Sequence, residues 1–255
     1  MGGDDLGSDD EFLTAPLRAD PNDKSSDDEA STSDHDMVKK RTTSALGDDT
    51  PIPERSSKKR KKAGENSLMD LGSNIRTESK EVQARLLSEF SGARFLPHHV
   101  AQPKKVEDDA GIVDRLKAIV SKKTLKKWKT KKSPGVIFIC ISARRAVQVL
   151  KEISPLNVRA AKLFAKHITI EDQVKQLQDS PFGIAVGTPH RILTLLQQDA
   201  LSLEQTQCIV LDTYVNDKKY SVYTLPDTIP HTQELLKDHV YPTCQKRQTM
   251  HLAFV

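Results

Sequence analysis

The chain has 255 residues and a formal net charge of +4, from 39 Lys and Arg against 35 Asp and Glu, and only 36% of its residues are hydrophobic, low for a chain folded throughout. Its three cysteines, Cys140, Cys208 and Cys244, are not spaced like metal ligands, and an odd number of scattered thiols suits a reducing compartment. No apolar run approaches the ~20 residues of a membrane span, and the acidic start reads as neither a secretory signal nor a transit peptide, so no membrane partner is expected.

Residues 1–75 are dominated by Ser, Asp, Glu, Gly, Pro and Lys without a sustained apolar period, which predicts a disordered tail, acidic and then basic. Residues 1–36 carry twelve Asp and Glu against Arg18 and Lys24. Ser8, Ser25 and Ser26 stand before acids, a context for acidophilic kinases; a solubilising acidic tail is the alternative. Arg55, Lys58, Lys59, Arg60, Lys61 and Lys62 resemble a nuclear localisation signal, which an importin groove reads as an extended string of cations; a solvated charge run is the alternative.

A helix is predicted from Thr77 to Phe90, with Val82, Leu86, Leu87 and Phe90 on one face, and another over 108–120. Residues 121–132 hold seven lysines and Trp128, with no acid among them. Lys122, Lys123, Lys126 and Lys127 are candidate phosphate contacts and Trp128 a candidate stacking residue; the alternative is a solvated loop with Trp128 packed on the domain.

From 136 onward strands and amphipathic helices alternate. Strands are expected at Val136–Ile141, Arg159–Phe164, Phe182–Val186, Gln207–Leu211 and Thr249–Val255, and helices at Ala143–Ile153, Thr169–Gln178, from Pro189, and at His231–Val240. This order predicts an α/β fold, a parallel sheet flanked by helices, over residues 76–255. Ligands of such sheets bind beyond the carboxyl ends of the strands. Those ends carry Ser142, Arg144 and Arg145 after the first strand, Thr188, His190 and Arg191 after the third, and Asp212, Thr213 and Tyr214 after the fourth.

These segments resemble the first RecA-like domain of DEAD-box RNA helicases. Thr188-Pro189-His190-Arg191 looks like their Thr-Pro-Gly-Arg motif with His at the glycine. Ser142–Ala146 followed by Gln148 looks like a degenerate Pro-Thr-Arg-Glu-Leu-Ala motif, and Gln173 stands where those helicases open a helix with Gln. Leu163–His167 replaces their Gly-Gly turn, and Gln248-Thr249-Met250 resembles the lead-in to their Ser-Ala-Thr motif. Phosphate chemistry needs a glycine loop with Lys and Ser or Thr, and nothing before Val136 offers one; Thr213 follows Asp212 where a catalytic glutamate is required.

Lys162–Ile168, Gln173-Val174-Lys175, Val186–Pro189 and Val210-Leu211-Asp212 are more similar still to the Cms-type ribosomal small-subunit biogenesis proteins. The resemblance implies a single degenerate RecA-like, P-loop-like domain and a nucleolar, non-catalytic factor of the early small-subunit pre-ribosome. It would bind pre-ribosomal RNA, small-subunit assembly proteins or both, need no cofactor, and be carried into the nucleus by importin. Ser142, Arg144, Arg145, Thr188 and Arg191 are the RNA-edge candidates that the helicase resemblance points to. A protein-interaction scaffold with a vestigial RNA edge and a residual nucleotide-binding protein are the alternatives.

Overall fold

The computed structural model describes residues 72–103, 107 and 110–255. The acidic stretch, its serines and the basic run from Arg55 to Lys62 lie outside the described residues.

Strands β1 (Val136–Ile139), β2 (Ala160–Leu163), β3 (Ile184–Gly187), β4 (Cys208–Leu211) and β5 (His251–Phe254) form one sheet in the order β2-β3-β1-β4-β5, every pairing parallel. Alternate side chains of a strand face opposite ways, and here both faces are covered. Val136, Phe138, Ile184, Val186, Cys208 and Val210 pack on one side with Leu116, Ala146 and Val149. Ile137, Ile139, Ala185, Ile209, Leu211 and Leu252 pack on the other with Leu86, Leu87, Ile192 and Leu195. Double-sided burial is why these strands read as unbroken apolar runs.

The helices on the first side are α2 (Ile112–Ile119), α3 (Lys122–Lys126) and α4 (Ala143–Glu152); α1 (Lys80–Ser91), α5 (Ile170–Asp179) and α6 (Pro189–Gln197) send their buried residues into the second cluster. Helix α1 starts at Lys80 because the Ser79 hydroxyl accepts the Val82 N–H, and it stops at Gly92, whose φ of 72° ends the helix. The expected start at Thr77 is instead occupied by a 3-10 turn, Gly72–Thr77, with Ile75 fully buried. Helix α3 was not expected: the lysine run is helical in its first part.

The last helical segment is longer than the predicted His231–Val240. It runs as α7 (Ile229–Glu234), a π-helical stretch Leu235–Val240, and α8 (Tyr241–Lys246). Pro242 supplies no N–H to the preceding turn, and a π turn ahead of it lets the helix continue with Leu235, Leu236 and Val240 still buried.

Both sheet edges are guarded. Gln173, buried on α5, donates its Nε2 to the outward carbonyls of Lys162 (2.7 Å) and Phe164 (3.1 Å) along β2. On the far side Ala101 donates its N–H to Leu252 O at 2.7 Å, beside a parallel bridge between Val100 and Leu252. Gly187 closes β3 where β2 and α6 converge: a Cβ there would lie 2.3 Å from Leu163 O and 2.7 Å from Leu163 Cβ.

Candidate functional site

β1 leads across β3 to β2, whereas β4 leads outward to β5. The chain therefore reverses its direction of travel between β1 and β4, and the carboxyl ends of these two strands frame the crevice where open α/β sheets hold ligands. Ser142 follows β1 and N-caps α4, its hydroxyl accepting the Arg145 N–H at 3.2 Å. Arg145 is thereby aimed across to the end of β4. Its Nε donates to Asp212 Oδ2 at 2.8 Å and its Nη2 to Asp212 Oδ1 at 3.1 Å, while Nη1 donates to Glu152 Oε1 at 2.9 Å. The guanidinium also lies 4.7 Å from the centre of the Tyr214 ring.

This pair is nearly dry: the side chains of Arg145 and Asp212 are 12% and 2% exposed. Burial alone would make the Arg145 guanidinium less basic, but hydrogen bonds and charge from Asp212 and Glu152 more than reverse this and raise it. Burial pushes the Asp212 carboxyl above its ordinary value, and the bonds from Arg145 and the Tyr214 N–H pull it only part of the way back. Asp212 is thus committed to holding two strand ends together. Thr213, beside it, gives its hydroxyl to Val255 O at 3.0 Å.

The five RNA-edge candidates separate on this geometry. Arg144 is exposed on the first turn of α4. Arg145 is not a solvated cation but the centre of an ion-paired cluster, because Asp212 lies directly across the strand ends. Arg191 turns inward from α6, its Nη1 donating to Gln173 Oε1 at 2.9 Å and to Ile168 O at 3.2 Å, so it braces the same glutamine that guards β2. Thr188 takes the N-cap position of α6 without a side-chain cap bond and is half-buried, and Pro189 follows in the first turn. Ser142 is exposed but spends its oxygen on the cap.

The lysine segment lies at the opposite end of the strands. It precedes β1, and parallel pairing puts the start of β1 beside the start of β3, about 13 Å of strand from the carboxyl ends. There Leu125, 2% exposed, and Trp128 pack over Gly135 and Gly183; a Cβ on Gly183 would lie 2.3 Å from Leu125 O, and one on Gly135 3.1 Å from Trp128 Cε3. The Trp128 indole donates to Ser133 O at 2.8 Å. Trp128 therefore packs on the domain, the alternative to its expected stacking role, because both its ring and its N–H already have partners. Lys122 donates to Pro155 O at 3.3 Å, while Lys123, Lys126, Lys127, Lys129 and Lys131 are exposed, and among the described residues none of these five forms an ion pair. The two sets of candidates thus lie at opposite ends of the strands.

Sequence reasoning placed Tyr214 at a strand end and Gln148 in a motif without making either a candidate contact, and missed Asn216 and Lys218; with Ser142, Arg144 and Arg145 these four line a cleft of about 290 Å³ at the carboxyl edge. Their signal is weak: Asn216 and Lys218 lie in an irregular connection after β4, where no periodicity marks a wall. Among the described residues no group of three metal-ligating side chains gathers, and no helix is long and apolar enough to cross a membrane.

A family model described as CMS1, U3-containing 90S pre-ribosomal complex subunit, matches residues 98–254. Protein CMSS1 of Xenopus laevis is 38% identical over 117 residues, which cover 45% of this chain and 42% of that protein. Protein CMSS1 of Homo sapiens is 34% identical over 126 residues, 48% of this chain and 45% of that protein. Protein cms1 of Schizosaccharomyces pombe is 31% identical over 122 residues, 47% of this chain and 42% of that protein. The chain thus spans less than half the length of the curated relatives it matches. A solved structure, of a DEAD box protein from the hyperthermophile Methanococcus jannaschii, aligns with a TM-score of 0.41 and 22% identity over 58% of this chain and 37% of that one, a likeness too loose to carry a function. With the family model matching residues 98–254, more than half of its length, the chain belongs to the CMS1 family of U3-containing 90S pre-ribosomal complex subunits.

Proposed function

We propose that the chain acts in the nucleolus as a non-catalytic piece of the 90S pre-ribosome, holding pre-ribosomal RNA and small-subunit assembly proteins, with Arg55–Lys62 as the importin-read address. The observation that carries the reading is the lysine segment fixed by Leu125 and Trp128 over Gly135 and Gly183, its exposed ammoniums unpaired among the described residues. Cations held on a rigid support attract phosphates without regard to sequence, which suits a factor that clamps structured RNA.

The carboxyl edge supports the same reading. An enzyme that hydrolyses nucleotides needs a free carboxylate there to hold magnesium or orient water. Asp212 instead gives both oxygens to Arg145, and the Thr213 hydroxyl is bonded to the backbone. Titration of the purified full chain with a structured ribosomal RNA fragment at several salt concentrations tests the proposal. Tight binding with a steep salt slope, and no ATP turnover, is expected. Salt-independent or absent binding overturns the RNA role and leaves the protein-interaction scaffold; heat on adding ATP in calorimetry revives the nucleotide-binding alternative.

A further inference from the structure

We infer that the cleft between α4 and the connection after β4 takes one unpaired nucleotide of the bound RNA, its base against Tyr214 and its phosphate toward Arg144 and Lys218. The inference rests on the RNA-binding reading and deepens it.

Position is the first argument. The cleft opens beyond β1 and β4, the strand ends where the chain reverses its direction of travel and where sheets of this kind form their ligand crevice. Size is the second. At about 290 Å³ it falls just under the ~300–1,000 Å³ of sites for drug-sized ligands, room for one nucleoside and little more.

The lining decides the ligand class. Ile141 and Leu225 give apolar surface, and Tyr214 gives an aromatic ring. Gln148 carries a side-chain amide with donors and an acceptor, and Asn216, whose Oδ1 already accepts the Tyr220 N–H, offers its amide N–H donors, the groups that meet base edges. Arg144 and Lys218 are exposed cations at the rim. Asp217 also lines the cleft, and with an acid present a bare anion is a poor match, whereas a neutral base with its phosphate at the rim fits every group.

The walls are held in advance. Tyr214 is held by the Arg145 guanidinium, 4.7 Å from the centre of its ring, and its N–H donates to Asp212 Oδ1 at 3.3 Å. The next turn is closed by Asn216 N–H to Tyr220 O and Tyr220 N–H to Asn216 Oδ1, each at 2.9 Å. Beyond it Val222 and Tyr223 are fully buried. An aromatic fixed in place loses little freedom when a base stacks on it, and such stacking strengthens single-strand binding by on the order of 10-fold per base. The ion-paired cluster thus serves the cleft by fixing its aromatic wall.

The test compares two short single-stranded RNAs of one sequence, one intact and one with its bases removed at successive positions, binding to the full chain. The wild type is expected to favour the intact strand by on the order of 10-fold. Tyr214→Leu is expected to abolish that preference, and the exposed double variant Gln148→Ala, Lys218→Ala to cut it several-fold while melting like the wild type. Equal binding of the two strands by the wild type overturns the inference, as does full base dependence in both variants, and either result leaves general RNA binding standing. Failure of the wild type to bind any RNA at low salt removes the RNA reading and this inference with it.

Discussion

Arg145 and Asp212, 67 residues apart in the chain, meet through two parallel N–H···O bonds of 2.8 and 3.1 Å at the junction of β1 and β4. Fork-to-fork pairing of this kind is the strong form of an ion pair, and here it is almost fully desolvated. A buried pair adds little net stability relative to apolar residues, but removing one partner strands the other charge. Arg145→Ala is therefore expected to destabilise the domain by about 3–5 kcal/mol. Arg145→Met combined with Asp212→Leu is expected to recover most of the loss. Denaturant melts of the single and double variants check this; a mild single variant would show that the pair is wetter than its geometry implies. A triple alanine change at Arg144, Arg145 and Arg191 would for the same reason test folding rather than RNA contact. Arg144→Ala alone is the clean probe of the edge.

The turn after β2 and the end of β3 make opposite predictions about glycine. His167 holds a left-handed φ of 58° in the turn after β2, and it is exposed. A non-glycine residue there costs roughly 1–2 kcal/mol, offset in part by the extra freedom glycine has when unfolded. His167→Gly is expected to be neutral or stabilising by up to about 1 kcal/mol. Gly187→Ala, with its new methyl 2.3 Å from Leu163 O, is expected to cost at least ~2–3 kcal/mol. Thermal melts of the two variants should move apart; a Gly187→Ala protein as stable as the parent would contradict the packing of β2 on β3.

The strands and the helix after Thr188 were readable because burial on both faces leaves a continuous apolar run and Pro189 marks a first helical turn. The candidate site was readable only as residue types. Nothing local to Arg145 shows that its partner lies 67 positions on, or that Arg191 reaches back to Gln173 18 positions earlier. A guanidinium in an amphipathic helix looks solvated until the fold brings a carboxylate to it. Trp128 misled in the same way: its neighbours in sequence are lysines, but its neighbours in space are Gly135 and the carbonyl of Ser133. Helix α3 escaped notice because five residues with one buried side chain, Leu125, show no period.

Acid sensitivity should arise at His99. The residue is 4% exposed, its Nδ1 accepts the Leu96 N–H at 3.1 Å, and His98 and His251 stand nearby. Burial lowers its pKa below the ordinary 6.5, and the two histidines lower it further. The folded state thus prefers the neutral ring, so its contribution is present above pH 6.5 and is lost as pH falls from there toward the lower folded value. A proton on Nδ1 would also displace the Leu96 bond, worth about 1 kcal/mol. Melting temperature should drop between pH 7.5 and 5.5, and the drop should shrink in His99→Gln. Equal acid sensitivity in that variant would move the origin to another group.

The basic edge separates charge from packing. Lys123, Lys126, Lys127 and Lys129 are exposed and, among the described residues, unpaired, so changing all four to Gln should move the melting temperature by no more than about 4–8 °C even if the four effects add, since each surface change rarely exceeds ~0.5 kcal/mol. Each phosphate they engage contributes about 0.7–0.9 to the slope of log affinity against log salt, so the slope for RNA should fall by roughly 3 if all four make contact. Trp128→Ala should do the reverse at first: it removes the ring from Gly135 and the donor from Ser133 O, costing about 3 kcal/mol, while the lysines remain. With α3 no longer pinned, affinity should weaken modestly and the slope should persist, because the charges are still present but less well arrayed. A quadruple-Gln protein that keeps the full salt slope would move the phosphate contacts off this edge and onto the side of Arg144 and Lys218.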